Sequence, residues 1–195
     1  MREPFDTSSV AARWILARLG LVVVLGGATT WAGSVQVGSK MGLITVSQNG
    51  KSFVEQSSGR PYVPFGVNYY DPNTGWAPKI WRQFDPNHVT RHFEVMHDLG
   101  VNCARVFLTA ATFQPDVNAI DEKALAKLDT FIGIARQSGI RLILTGPDHW
   151  EGSPAYWKPD RFAGEQALKA LDNFWRTLGQ RYRGEPAIFR LGPAQ

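Results

Sequence analysis

Short apolar runs alternate with amphipathic helical segments through most of this chain, and that alternation restricts its fold more than any other feature. Tyr62–Asn68, Val101–Phe107, Ile140–Thr145 and Ala187–Leu191 read as strands. Between them, the spacing predicts helices over 86–99, 122–138 and 165–182. The first has Asp85 to cap it, Pro86 at its first position and Gly100 to stop it. Its apolar face is Val89, Phe93 and Met96. The second runs from an Asp121 cap to Gly139, with Leu125, Leu128, Ile132 and Ala135 on one stripe. The third presents Leu168, Leu171, Trp175, Leu178 and Tyr182, and Gly184 follows it. Upstream, Leu43–Val54 is two β-prone runs around Asn49-Gly50, a pair suited to a hairpin because both central turn positions need positive φ.

A hairpin followed by β-α-β-α-β-α-β implies an α/β fold with a parallel sheet and helices outside it. The strand runs are apolar on both faces, as buried parallel strands are. A doubly wound sheet and a closed barrel both fit this order. No Gly-x-Gly-x-x-Gly follows Asn68, which argues against a dinucleotide-binding doubly wound sheet. The loops after the strands are long, aromatic and polar, which suits a barrel whose site is built from its βα loops.

Charge supports no electrostatic partner. The net +4 splits evenly, +2 in residues 1–40 and +2 in the remainder, so no clustered basic face indicates nucleic-acid binding. The single cysteine, Cys103, excludes an intrachain disulfide and sits in an apolar run as a small hydrophobe. His88, His92 and His97 lie on one predicted helix, but their spacing forces no metal geometry, and they read as surface residues. No metal or cofactor is expected.

Residues 1–40 read as a separate segment ahead of a 41–195 domain. Arg13 and Arg18 precede the apolar run Leu19–Ala28, and small residues follow, which is the order of a secretory signal. The rival reading keeps residues 14–37 as a membrane tether. Either places the remainder outside the cytoplasm.

Phe65-Gly-Val-Asn68, Leu99-Gly-Val-Asn-Cys-Ala-Arg-Val106, Gly139-Ile-Arg-Leu-Ile-Leu-Thr145 and Asp148-His-Trp150 succeed one another as in glycoside hydrolase family 5. The chain resembles the mannanase and cellulase-like branches of that family from about Leu43 to Phe189. The resemblance implies a (β/α)8 TIM barrel that cleaves β-linked polysaccharide with retention. This chain would then supply the first three βα units and the start of strand four, preceded by the hairpin. Arg105 resembles the family arginine that hydrogen-bonds the nucleophilic carboxylate, and His149 resembles a histidine that lines the sugar site. The family's acid/base glutamate follows strand four in an Asn-Glu-Pro motif, and its nucleophile lies on strand seven. Here Pro186-Ala-Ile-Phe189 leads instead into Arg190-Leu-Gly-Pro-Ala-Gln195, so neither carboxylate has a matching position.

Retaining hydrolysis needs two carboxyl groups about 5–5.5 Å apart. Asp148 and Glu151 share a loop, but a shared loop fixes no such geometry. Glu185-Pro186 precedes strand four and therefore belongs to the face of a barrel that serves stability. The expectation is a truncated glycosidase that is inactive as it stands, with no catalytic residue present and with Arg105 and His149 as supporting groups. Its partner is a polysaccharide or oligosaccharide such as mannan or β-glucan. The alternative is a non-catalytic carbohydrate-binding or surface module. Tyr69, Tyr70, Trp76, Trp81, Trp150, Tyr156 and Trp157 fall after strands one and three. Aromatic faces suit sugar rings, and two or three of these residues are expected to line a cleft. Asn68, Tyr70, Trp76 and Trp150 are the candidate substrate contacts.

Overall fold

The computed structural model describes residues 41–149, 152, 154–158, 160 and 163–192. The segment read as a signal or tether, and also Trp150 and Glu151, lie outside the described residues. No helix among the described residues is long and apolar enough to cross a membrane.

Two sheets organise the rest. β1 (Ile44–Val46), β2 (Phe53–Glu55) and β3 (Pro61–Tyr62) form an antiparallel sheet in that order. The hairpin forms as expected, but its turn is Ser47–Gly50, closed by the Gly50 amide donating to the Ser47 carbonyl at 2.8 Å, so Gly50 with φ +71° ends the turn rather than sharing its centre with Asn49. β4 (Gly66–Asn68), β5 (Cys103–Thr109), β6 (Arg141–Asp148) and β7 (Ile188–Gly192) form a parallel sheet in sequence order. α2 (Pro86–Asp98), α4 (Glu122–Gln137) and α5 (Glu165–Arg181) are the connecting helices. Two shorter helices, α1 (Lys79–Arg82) and α3 (Ala110–Phe113), lie in the loops after β4 and β5.

The caps form as the sequence indicates. The Asp85 carboxylate accepts from the Asn87 amide at 2.8 Å, and Asp121 from Ala124 at 2.7 Å. Gly100 and Gly139 end their helices at φ +79° and +70°. β5 alternates in burial from Ala104 to Leu108. Ala104, Val106 and Leu108 are buried toward the helices, where they meet Phe93, Leu125, Leu128 and Phe131 in one cluster. Each such fully buried large side chain contributes roughly 1.5–3 kcal/mol. Arg105 and Phe107 occupy the opposite face.

Three expectations need correction. Tyr62–Asn68 is not one buried strand. Pro61–Tyr62 pairs with β2, Gly66–Asn68 pairs with β5, and the segment between them leaves Val63 75% and Phe65 60% exposed. Pro64 can donate no ladder bond, and the Phe65 amide donates instead to the Asn102 side chain at 2.8 Å. As an edge strand, β4 is exposed at all three positions rather than sandwiched. In α5 the buried stripe is Ala167, Ala170, Phe174 and Leu178, which leaves Leu168 47% exposed. At its N-terminal half the small Ala167 and Ala170, not Leu168, face inward, and the second cluster seats Tyr156 and Trp157 with them. Finally, β6 runs to Asp148 and β7 includes Gly192, which pairs with Thr145, so Asp148 is strand and not loop.

The small sheet lies across the N-terminal end of the parallel one. Tyr62 Oη donates to the Asn102 carbonyl at 3.1 Å, and the Phe53 and Tyr62 rings meet Phe189 edge-on at 5.0 and 5.3 Å. Glu55, which the sequence did not single out, is buried here 3.8 Å from the buried Arg141. Its carboxyl is held down at about 2 by the Ser58 hydroxyl, then by Arg60 and the Gly42 amide. Glu185 stands at the same end, paired with Arg136 at 2.9 Å, in keeping with a stabilising role.

Candidate functional site

The C-terminal ends of the parallel strands collect the polar and aromatic candidates. Asn68 pairs in register with Arg105, which puts both on the sheet face turned away from the helices. Arg105 is the third residue of β5, not its last, but it reaches Thr145, two residues beyond its register partner Ile143. Its Nε donates to Thr145 Oγ1 on β6 at 3.0 Å. The guanidinium carbon lies 4.7 Å from the centre of the Phe107 ring, within range of a cation–π contact. Thr145 and the ring of Phe107 therefore fix the guanidinium on two sides.

Aromatic contacts continue outward from that point. The Trp76 ring meets Phe107 at 6.2 Å, and Tyr70 meets Trp76 at 5.1 Å, both edge-on. Trp76 is 40% and Tyr70 45% exposed, so each presents ring surface to a ligand. The other loop aromatics do not. Tyr69 and Trp81 are buried among Phe93, Phe113 and Phe131. Tyr156 and Trp157 pack on α5, and the Tyr156 hydroxyl donates to the Gln114 carbonyl. Of the two favoured cleft aromatics, Trp76 is exposed as expected, and Trp150 is outside the described residues.

Trp81 has a structural task at the site. Its indole N–H donates to the Phe107 carbonyl at 2.8 Å. The Arg105 carbonyl accepts from the Tyr69 amide at 2.8 Å. Carbonyls two residues apart in a strand point the same way, so the indole takes the place of the next backbone donor where β4 has ended.

Asp148 closes β6 and is buried. It accepts from the His149 amide at 2.6 Å, and the His149 ring Nδ1 lies 3.3 Å from the same oxygen. The His149 side chain is itself half exposed beside this carboxylate. The helix histidines differ from the surface reading in one respect. His97 is exposed, but His92 is half-buried, 3.1 Å from the Tyr69 hydroxyl through Nδ1. Burial holds its pKa below the ordinary value, against the pull of Asp71. A cavity of about 260 Å³ lined by Val67, Asn68, Tyr69, Tyr70, His92 and Met96 opens between β4 and α2.

Thr145, Phe107 and His92 were not among the sequence candidates. The two-residue spacing of Arg105 and Phe107 was the available signal for Phe107. Thr145 and His92 join the site through contacts spanning 40 and 23 residues, which no local pattern encodes.

No family model and no curated protein matches this chain. Solved structures do match it. A GH5_18 enzyme from Bifidobacterium longum subsp. infantis is 26% identical, with a TM-score of 0.58 over 66% of this chain and 32% of its own. A GH5_18 enzyme from Streptomyces cattleya, solved in complex with GlcNAc, is 22% identical, with a TM-score of 0.60 over 66% of this chain and 32% of its own. The exo-beta-1,4-mannosidase Op5Man5 from Opitutaceae bacterium strain TAV5 is 19% identical, with a TM-score of 0.62 over 71% and 25%. The fold is that of glycoside hydrolase family 5. The chain spans about a third of the length of the family 5 structures it matches. Within that family 5 frame, the ends of β4, β5 and β6 that carry Asn68, Arg105 and Asp148 are where a barrel places its chemistry.

Proposed function

We propose that these residues form the first strands of a (β/α)8 barrel and supply the arginine and part of the sugar-binding surface of a retaining β-glycosidase, acting on β-mannoside. The observation that carries this reading is the guanidinium of Arg105, held by Thr145 and Phe107 on the same face as Asn68. Exposed Trp76 and Tyr70 extend from it in an unbroken aromatic series. A cation fixed in this way is placed to orient a carboxylate, and the exposed aromatic rings offer faces to the C–H faces of a sugar. His149, ordered by Asp148, borders the same end of the sheet.

Mannose is favoured over glucose by the neighbours alone. Two GH5_18 structures were solved in complex with Manb1-4GlcNAc, and a third neighbour is named an exo-beta-1,4-mannosidase. We assign no acid/base and no nucleophile within these residues. Asp148 is engaged by the His149 amide, and the chemistry requires a second carboxyl group about 5–5.5 Å away. The described residues contribute the arginine and the sugar-facing aromatics of the site. Residues 13–34 support a site of action outside the cytoplasm.

The test is calorimetric titration of the chain with mannobiose and cellobiose, alongside a reducing-sugar assay on mannan. Saturable binding of mannobiose, weakened in Arg105→Ala and Trp76→Ala, is the expected result. Turnover of mannan by the chain refutes the assignment of no catalytic pair, and absence of binding to either sugar refutes the sugar site.

A further inference from the structure

The exposed aromatic pair sits in a loop that is tied to α2 through one imidazole. After Tyr69 the chain turns through Asp71–Gly75, which is closed by the Gly75 amide donating to the Asp71 carbonyl at 2.7 Å. Trp76 follows at once. The buried Asp71 carboxylate accepts from the Asn73 amide at 2.8 Å and from the Asn73 side-chain nitrogen at 3.2 Å. That same side-chain nitrogen lies 3.4 Å from His92 Nε2 on α2. His92 Nδ1 meets the Tyr69 hydroxyl at 3.1 Å. One imidazole thus touches both flanks of the pair, Tyr69 next to Tyr70 and the turn that delivers Trp76.

This geometry dictates the tautomer. Asn73 cannot turn its amide over, because its oxygen would then face the Asp71 carboxylate. The Asn73 nitrogen is therefore a donor toward His92, and Nε2 must be the acceptor. The ring proton sits on Nδ1 and is donated to the Tyr69 oxygen. Protonating Nε2 would bring a donor against a donor and break the link between the turn and α2.

We propose that His92 is a positioning residue for the sugar-facing loop, holding Trp76 in place while neutral and releasing the Asp71–Gly75 turn when protonated. The proposal rests on the reading that Trp76 and Tyr70 meet sugar. The groups facing the ring are Tyr69 and Asp71 from the loop and His88 and Arg91 from its own helix, with Asp85 acting on it through His88. Asp71 favours the charged ring, and His88 and Arg91 oppose it. Burial is the largest influence and keeps the ring neutral, so release belongs on the acid side of the ordinary histidine range.

The test uses the full chain labelled with fluorotryptophan. It has seven Trp, and the resonance of interest is assigned by its loss in Trp76→Phe. Fluorine spectra and histidine ring spectra are followed together from about pH 8 to pH 5, across the range where histidine titrates. The Trp76 resonance is expected to move with the His92 ring, at a midpoint below about 6.5. His92→Gln, which can accept from Asn73 and donate to Tyr69 at every pH, should hold the resonance at its neutral position throughout. His92→Phe, which can do neither, should hold it at the acid position. The mannobiose affinity read from the same resonance should fall about two- to tenfold at the acid limit, the span that one net hydrogen bond allows.

A Trp76 signal that stays still while His92 titrates overturns the proposal. So does a His92 ring that does not titrate in this range, or a His92→Gln spectrum that moves like wild type. If His92→Phe fails to fold, the wild-type titration and the glutamine variant still decide. If sugar leaves the resonance untouched while the pH and variant pattern holds, the sugar reading has failed and the positioning role stands.

Discussion

Replacing Trp81 separates two contributions that the structure joins in one side chain. The indole is fully buried and stacks or meets edges with Phe84, Phe113 and Phe131. Its N–H is also the donor for the Phe107 carbonyl beyond the end of β4. Trp81→Phe keeps most of the ring and removes the donor, leaving a buried carbonyl without its partner on that side. The expected loss is about 1–3 kcal/mol. Trp81→Ala removes the ring as well, and deletion of a buried Trp costs about 3–5 kcal/mol before the orphaned carbonyl is counted. Urea unfolding of the chain and both variants, followed by circular dichroism, measures the two steps. Because Phe107 underlies the Arg105 guanidinium, Trp81→Phe should also weaken mannobiose binding although Trp81 is not exposed to ligand. If Trp81→Phe unfolds within about 0.5 kcal/mol of wild type, the scatter expected of a neutral surface change, the indole does not stand in for a strand donor and the reasoning fails.

Three further outcomes follow from the packing. Glu55 has a carboxyl lowered from 4.5 to about 2 in the folded chain. Its stabilisation is therefore present above the unfolded value and lost as pH falls from there toward about 2. Wild type should lose more stability than Glu55→Gln between about pH 6 and pH 3, and equal losses would exclude the effect. A Cβ on Gly146 would lie 2.5 Å from the Leu108 backbone oxygen, whereas one on Gly179 meets nothing within 4 Å. Gly146→Ala should lower the thermal midpoint, and Gly179→Ala, in the last turn of α5, should raise stability by about 0.4–1 kcal/mol. Cys103 is buried, and burial raises its thiol pKa. A thiol reagent should modify it only on unfolding, and rapid labelling of the native chain would contradict the packing around it.

Much of the site was legible before the structure, for a physical reason. Periodicity and capping are local, so the order of strands and helices could be read, and a barrel-type order then says which strand ends carry the chemistry. Asn68 and Arg105 were placed on parallel strands, and Trp76 in the loop after the first of them, in that way. The same logic failed where burial is decided by partners distant in sequence. Loop position alone did not separate Tyr69 and Trp81 from the exposed aromatics, and it is the side chains of α2 and α4 that enclose them. The face of α5 could not be chosen from residue size, since alanines packed inward against Tyr156 and Trp157 while Leu168 stayed in solvent.

The sequence by itself determined the alternation of elements, the helix caps and the arginine on the second parallel strand, because each depends on residues within a few positions of one another. Only the tertiary structure decided that Thr145 and Phe107 hold that arginine, that Trp81 finishes the ladder of β4, that Glu55 and Arg141 meet beneath the sheet, and that His92 reaches the turn before Trp76. Apart from that of Phe107 with Arg105, those contacts join residues on different segments, up to 86 positions apart, and they exist because parallel strands and the helices between them bring distant segments into register.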